Sequence, residues 1–374
     1  LIIMHMKKIL FINFLLLTTL FLIACSPTDI DDEEIEKFSF QIKTGHINDP
    51  DSKKFTIPLA GAGSSSWQPD GNMISVWNID WGDGKKEEAI SVSNDMSTFL
   101  YRIYEHHETI YTITIEPVDK SQKGWFRPFG FNSFNYYDDA QSRWMMYKLL
   151  TPLTKTGGFF DEPEKNNYVY SLLFQACENM TMGNDFTLPE GVKEVGDAFM
   201  EYTFDKCFSL KMGESFNIPT SLIKVGNDFM RNTFSFSGID SMNSIFNIPE
   251  GLSIVGNNFM YYTFFYTPLL TMNNVFSVPE SITSVPDRFL FATFAECENL
   301  EMGEGFSLPN NLNSVGVFFM HHTFRNCISL TTNMINSTRF ELIYVNGVNN
   351  ETYASSTFLG CINVDVSQLN GFIS

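Results

Sequence analysis

Residues 203–232 read TFDKCFSLKMGESFNIPTSLIKVGNDFMRN, and the same pattern returns at 233–262, 263–292 and 293–322 with its apolar positions kept. Phe174, Phe204, Phe234, Phe264, Phe294 and Phe324 stand 30 residues apart. Thr203, Thr233, Thr263, Thr293 and Thr323 each precede one of them. Met182, Met212, Met242, Met272 and Met302 keep the same step, as do Phe186, Phe216, Phe246, Phe276 and Phe306. So do the columns that start at Pro189, Val195 and Phe199. Chance does not hold seven columns in phase through five units. A unit of this size cannot bury its own apolar face, so the units must stack and share one core. Identical rings piled coil upon coil explain the high phenylalanine count, 37 in the 374-residue chain, of which the three columns take 16.

Each coil is expected to hold a short parallel strand near Leu-x-Met, with neighbours about 4.8 Å apart. Val255, Phe259, Met260, Thr263 and Phe264 fall at i, i+4, i+5, i+8 and i+9, which predicts a helical stripe of two to three turns. Positions that vary between fixed columns face solvent. The aromatic group Tyr261, Tyr262, Phe265 and Tyr266, with the pair His321 and His322, therefore supplies the candidate partner contacts. Their bland alternative is packing within the outer layer.

The blocks Phe204-Asp205-Lys206-Cys207-Phe208-Ser209-Leu210 and Pro249-Glu250-Gly251-Leu252-Ser253-Ile254-Val255-Gly256 resemble leucine-rich repeats of the BspA type, found in bacterial and protozoan surface proteins. The resemblance covers residues 168–364. It implies a right-handed α/β leucine-rich-repeat solenoid, here with coils of about 30 residues where the family unit is shorter. It also implies adhesion to host proteins or other cells. Phe358 follows Phe324 by 34 residues, and a longer last coil suits a C-terminal cap before a tail at 365–374.

The other end of the chain carries an address. Lys7 and Lys8 precede an apolar run that ends at Leu22-Ile23-Ala24-Cys25. This segment resembles a bacterial lipoprotein signal peptide over 1–24, with translation expected to start at Met6. The resemblance makes Cys25 the acylated first residue, and two or three acyl chains suffice to anchor a protein. Residues 25–37, with Asp29, Asp31, Asp32, Glu33, Glu34 and Glu36, read as an acidic tether.

Residues 38–118 show strand-length alternation, as in Phe38-Ser39-Phe40-Gln41-Ile42 and Tyr111-Thr112-Ile113-Thr114-Ile115, and predict a small β-sandwich. Asp80-Trp81-Gly82-Asp83-Gly84, with Tyr104 and the final strand, resembles immunoglobulin-like domains of the polycystic-kidney-disease type, although Arg102 replaces that family's usual histidine. The glycines fit a tight turn, and Asp83 fits a cap on its N–H groups. Asp80, Asp83 and Glu87 leave a calcium site as the alternative. Residues 119–167 are rich in large aromatics and read as a linker and cap over the first coil.

Five cysteines, Cys177, Cys207, Cys297, Cys327 and Cys361, share one repeat column with Ser237 and Thr267. Buried thiols and the pairs Cys177–Cys207 and Cys297–Cys327 both fit that spacing. There is no Cys-x-x-Cys hook, and adjacent histidines in a strand point to opposite faces, so no metal site is expected. Nor is there a phosphate loop, a His-Glu-x-x-His or a Gly-x-Ser-x-Gly. A net charge of −19 repels nucleic acid. The reading is a non-enzymatic, lipid-anchored surface protein without cofactor, whose solenoid meets a host or neighbouring-cell protein. A structural envelope protein and a glycan hydrolase built on a carboxylate pair are the alternatives.

Overall fold

The computed structural model describes residues 37–45, 50–57, 59–60, 76–91, 100–118, 125–126, 140–153, 167–337 and 356–368. Residues 1–36, which hold Cys25 and nearly all of the tether, lie outside these, as does most of the aromatic stretch 119–139. Among the described residues no helix is long and apolar enough to cross a membrane.

The elements of the first part, in chain order, are β1 (Phe38–Lys43), β2 (Lys54–Ile57), β3 (Leu59–Ala60), β4 (Val76–Asp80), β5 (Lys86–Ser91), β6 (Leu100–Ile103), β7 (Ile110–Pro117), β8 (Trp125–Phe126), α1 (Ala140–Met145) and β9 (Met146–Leu149). β10 (Thr181–Met182) follows, and one sheet runs in the order β10-β9-β1-β7-β4-β5. The alternation read from the sequence is what places Phe38, Phe40 and Ile42 on the buried side of β1. Their partners across the antiparallel β7 ladder are Ile115, Ile113 and Tyr111. Phe55 of the β2–β6 pair packs its ring on Phe40 at 5.9 Å. β9 pairs antiparallel with β1 and parallel with β10, so the same ladder passes from the first part into the first coil.

The Asp80–Gly84 stretch is a turn. Gly82 has φ +77, and a Cβ there would collide with the Thr112 carbonyl oxygen, so only glycine fits. Asp80 accepts the Gly82 N–H and pairs with Lys86 at 2.9 Å. Asp83 accepts the Lys85 N–H and takes Arg102 at 2.7 Å. Each carboxylate of the turn is therefore bound to a cation of the chain. Trp81 is buried, and its carbonyl accepts the Tyr104 hydroxyl at 3.0 Å.

Beyond β10 the chain is a β-rich repeat in which each coil bonds the next. Val195 pairs parallel with Val225, and Val285 with Val315, in β11 (Glu194–Val195), β12 (Lys224–Val225), β13 (Ser284–Val285) and β14 (Ser314–Val315). This ladder lies at the Val-Gly column, a place the sequence reading left without a strand. The strand expected near Leu-x-Met is reduced to β10 and to the single bridges Ser241–Thr271 and Thr271–Glu301. The pairs between successive coils are in register at the 30-residue repeat length.

Inside, the columns line up. Phe174, Phe204, Phe234, Phe264, Phe294, Phe324 and Phe358 form one file with ring centroids 5.2–5.6 Å apart and neighbouring planes within 21°. The files of Phe186 and Phe199 run beside it, and Phe186 meets Phe204 edge-on at 6.3 Å. Offset stacks and edge contacts of this kind add about 0.5–1.5 kcal/mol per pair to the burial. The four extra residues of the last coil leave Phe358 in file, 5.5 Å from Phe324.

The predicted helix is absent. Residues 257–266, like their counterparts in other coils, form a ribbon of consecutive turns. In the coil from Ala198, positive φ occurs at Ala198, Met200, Tyr202 and Lys206, all non-glycine residues. The N–H groups of Ala198, Tyr202, Phe204 and Lys206 donate to Asn227, Arg231, Thr233 and Ser235 in the next coil. Those of Glu201, Thr203, Asp205 and Cys207 donate back three residues within the coil. Thus alternate N–H groups are satisfied locally and across the stack, where a helix would keep all of them inside. The ribbon buries two residues and exposes two, a period of four that over three turns mimics the 3.6 of a helix.

Two side-chain ladders hold it. The threonine of each coil, fully buried, donates its hydroxyl to the coil before: Thr233 to Met200, Thr263 to Met230 and Thr293 to Met260, all at 2.7–2.8 Å. The Asn or Asp two places after the column valine accepts the N–H of its successor: Asp197 from Asn227, Asn227 from Asn257, Asn257 from Asp287 and Asp287 from Val317. The five cysteines of the repeat column are buried thiols. Cys207, Cys297 and Cys327 each donate to the carbonyl of the phenylalanine in the preceding coil at 3.1 Å. Burial pushes the Cys297 thiol up to about 11 and Cys361 up to about 12.

Lys206 is exposed on the ribbon with φ 60. Lys206→Gly should exceed Lys206→Ala in stability by about 1 kcal/mol, read from urea midpoints, because glycine alone occupies this region without cost. In a helix the order reverses, with alanine ahead by about the same amount.

Candidate functional site

The two exposed residues of each ribbon period build a band of rings along the stack. Tyr261 and Tyr262, next to each other in sequence, lie on the same side with centroids 4.6 Å apart, because a turn does not alternate its side chains across two faces as a strand does. Tyr261 stacks on Phe291 of the next coil at 4.9 Å, and Phe291 meets His321 of the one after at 5.3 Å. Tyr262 touches Phe265 edge-on at 4.8 Å. Tyr266 lies 5.3 Å from Phe236 and is 58% exposed. His321 and His322 are 3.8 Å apart, which corrects the expectation that adjacent histidines diverge.

All six sequence candidates therefore belong to one band. Tyr261, Tyr262, Phe265, His321 and His322 are half-buried in contact with their neighbours, and Tyr266 stands out to solvent. Packing and exposure are thus both true of the group. The sequence reading passed over Phe236, Arg288 and Phe318, which sit at left-handed positions of the ribbon, as Tyr262, Tyr266 and His322 do. Read down the repeat, the columns Lys206, Phe236, Tyr266 and Asn258, Arg288, Phe318 carried that signal.

Cations and carboxylates interleave with the rings. Arg231 pairs with Glu201 at 3.4 Å and with Asp228 at 3.3 Å. Its guanidinium lies 5.8 Å from the Tyr202 ring centre and 5.4 Å from that of Tyr261. Arg325 pairs with Glu296 at 3.2 Å, and Glu296 also accepts from Asn326. Arg288 lies over Phe318 at 5.8 Å. Such contacts are worth about 0.5–1 kcal/mol at exposed sites. Burial pushes Glu201 up to about 7, with Arg231 opposing and Asp228 adding to the shift. Burial lowers His321 below the usual histidine value. Burial, then His321, then Arg325 lower His322. Near neutral pH the band is a run of mutually packed rings edged by the Arg231–Asp228 and Arg325–Glu296 pairs, with Glu201 partly protonated. Among the described residues no group of three His, Cys, Asp or Glu side chains is placed to hold a metal ion.

No family model and no curated protein matches the chain. A leucine-rich repeat protein from Bacteroides ovatus is a similar solved structure, at 17% identity and a TM-score of 0.30. The likeness covers 57% of this chain and 42% of that one. At that score it transfers neither fold nor activity.

The raised Glu201 makes a pH-dependent contribution of definite sign. Between about 4.5 and 7 the folded chain holds a proton that the unfolded chain has released, so this contribution is full below that window and lost as the pH rises through it. The histidine pair acts oppositely, losing stability as the pH falls. Glu201→Gln should therefore raise stability relative to the parent by about 3 kcal/mol more at pH 8 than at pH 4, measured as the difference in urea unfolding free energies.

Proposed function

We propose that the chain is an exported bacterial lipoprotein, acylated at Cys25, that displays a leucine-rich-repeat solenoid of the BspA type at the cell surface for adhesion to a protein or a cell. Residues 38–118 serve it as an immunoglobulin-like spacer of the polycystic-kidney-disease type. The protein works by binding and not by catalysis, with no cofactor, and its partner is a host or neighbouring-cell protein. The lipoprotein-like segment that ends at Cys25 supports the address.

The observation that carries the reading is the aromatic band. The core files already fill each coil, so the fold does not need Tyr261, Tyr266, Phe236 or Phe318 to be aromatic. Contiguous exposed apolar surface rimmed by polar groups is the mark of an interaction site. Variation at outward positions against fixed inward columns is how a repeat scaffold carries a specific surface.

On intact cells, added protease is expected to cut residues 168–364, and Cys25→Ala should move the protein from the membrane to the soluble fraction. The double variant Phe236→Ser and Tyr266→Ser should lower adherence to partner cells about tenfold while the thermal melt stays within a few degrees. Full protection of the repeats on intact cells would overturn surface display.

A further inference from the structure

We infer that the junction between the ribbon of His321 and His322 and the last coil is an acid-sensitive clasp, closed near neutral pH and opened in mild acid. It is built into the fold and does not depend on the adhesion reading.

The bonds of the clasp run from the histidine ribbon to the end of the chain. His322, Phe324 and Asn326 donate their N–H groups to the carbonyls of Ser356, Thr357 and Leu359. Thr357 donates its hydroxyl to the Met320 carbonyl at 3.1 Å, and Cys361 its thiol to the Phe324 carbonyl at 2.8 Å. The Phe358 ring covers that of Phe324 at 5.5 Å. These contacts hang the last coil on the segment that carries the histidines.

The pair itself resists protons. The two imidazoles lie 3.8 Å apart, half-buried against Phe291, and His321 also meets Phe318 at 5.4 Å. Among the described residues neither imidazole has a carboxylate partner. A first proton places a cation beside Arg325, and a second places two cations in contact, partly removed from water. Burial already lowers both histidines, with His321 and Arg325 adding to the shift of His322. A lowered folded value fixes the sign. The neutral pair contributes fully above the usual histidine range, and the contribution is lost as the pH falls below about 6.5.

The surroundings decide which side gives way. On the side of the preceding coils stand Glu296, bound to Arg325 at 3.2 Å, Arg288 over Phe318 at 5.8 Å, and the Tyr262 hydroxyl, which both Arg325 and Glu296 influence. On the side of the last coil, the described titratable groups are Cys361 and Asp365. Burial pushes the Cys361 thiol up to about 12, so it stays neutral. Asp365 is turned to Ser367, with its N–H on the Thr332 hydroxyl. The anion near the charged pair therefore belongs to the preceding coil. The histidine ribbon stays with Glu296, and the last coil is let go, which uncovers the Phe324 ring.

The test is hydrogen exchange of the full chain in detergent, read by mass spectrometry at pH 7.5 and pH 5 and corrected for intrinsic rates. Protection of peptides covering 320–327 and 356–361 should fall by about tenfold or more at pH 5, while the ribbon at 228–236 keeps its own. The double variant His321→Phe with His322→Asn takes the residues that other coils carry at these places, Phe291 and Asn232. Asn232 holds the same left-handed backbone, with φ 53 against 60 for His322. In that variant protection of both peptides should be equal at the two pH values. Titration of the ring signals in the parent chain gives a second readout, with His321 and His322 expected below the range of free histidine. Protection indifferent to pH, a loss shared by 228–236, a loss that persists in the double variant, or a pair that titrates as free histidine would overturn the inference.

Discussion

Alternate backbone N–H groups of the turn ribbon leave their own coil to bond the next, and the rest of the repeat depends on that arrangement. Each coil meets its neighbour at the same points of the ribbon, and the last coil keeps those bonds and the phenylalanine file although it is longer. The cost is local: four non-glycine residues per coil, such as Ala198, Met200, Tyr202 and Lys206, are held in the left-handed region at about 1–2 kcal/mol each. An isolated unit would not hold them there. Stacked units do, because the neighbouring coil supplies carbonyl acceptors and the phenylalanine files supply buried area. The buried threonine hydroxyl adds a bond that ties each Met carbonyl to the following coil, which explains why that position stays Thr where its neighbours vary.

Much of this was legible in the sequence, and the parts that were not have physical reasons. Apolar columns at a constant step identified the stacked core, and the rings of Phe204, Phe234, Phe264 and Phe294 stand in the file that spacing required. The alternation in β1 and β7 marked the sheet of the first part. The ribbon was misread as a helix because Phe259, Met260, Thr263 and Phe264 satisfy a four-residue period and a 3.6-residue period equally over so short a span. Left-handed backbone at Met, Tyr and Asn leaves no compositional mark of the kind that glycine leaves. The Asn and Asp ladder was visible as a column of Asn167, Asp197, Asn227, Asn257 and Asp287, but only the geometry shows that each side chain serves the next coil.

The same backbone rule shapes the surface. In a helix, Tyr261 and Tyr262 would point a quarter-turn apart, and in a strand they would take opposite sides. In the ribbon they share one side, and the next coil repeats the offer one step along the axis. A band of rings one coil apart therefore follows from outward residues being aromatic in successive units. The paired charges of Arg231 and Arg325 sit within that band because long side chains from neighbouring coils reach one another across the same step. The cluster is thus a property of the stack and would not exist in one repeat.

The most direct test of the account is to delete one coil in phase, residues 233–262, and to compare that chain with one shortened by a single residue less. Removing a whole unit brings Thr263 onto Met200 as Thr233 had been, so every ladder closes again. Calorimetry should show one cooperative transition within about 5–10 °C of the parent. The out-of-phase deletion throws every column above it off by one residue and should abolish that transition. Equal behaviour of the two deletions would contradict the account.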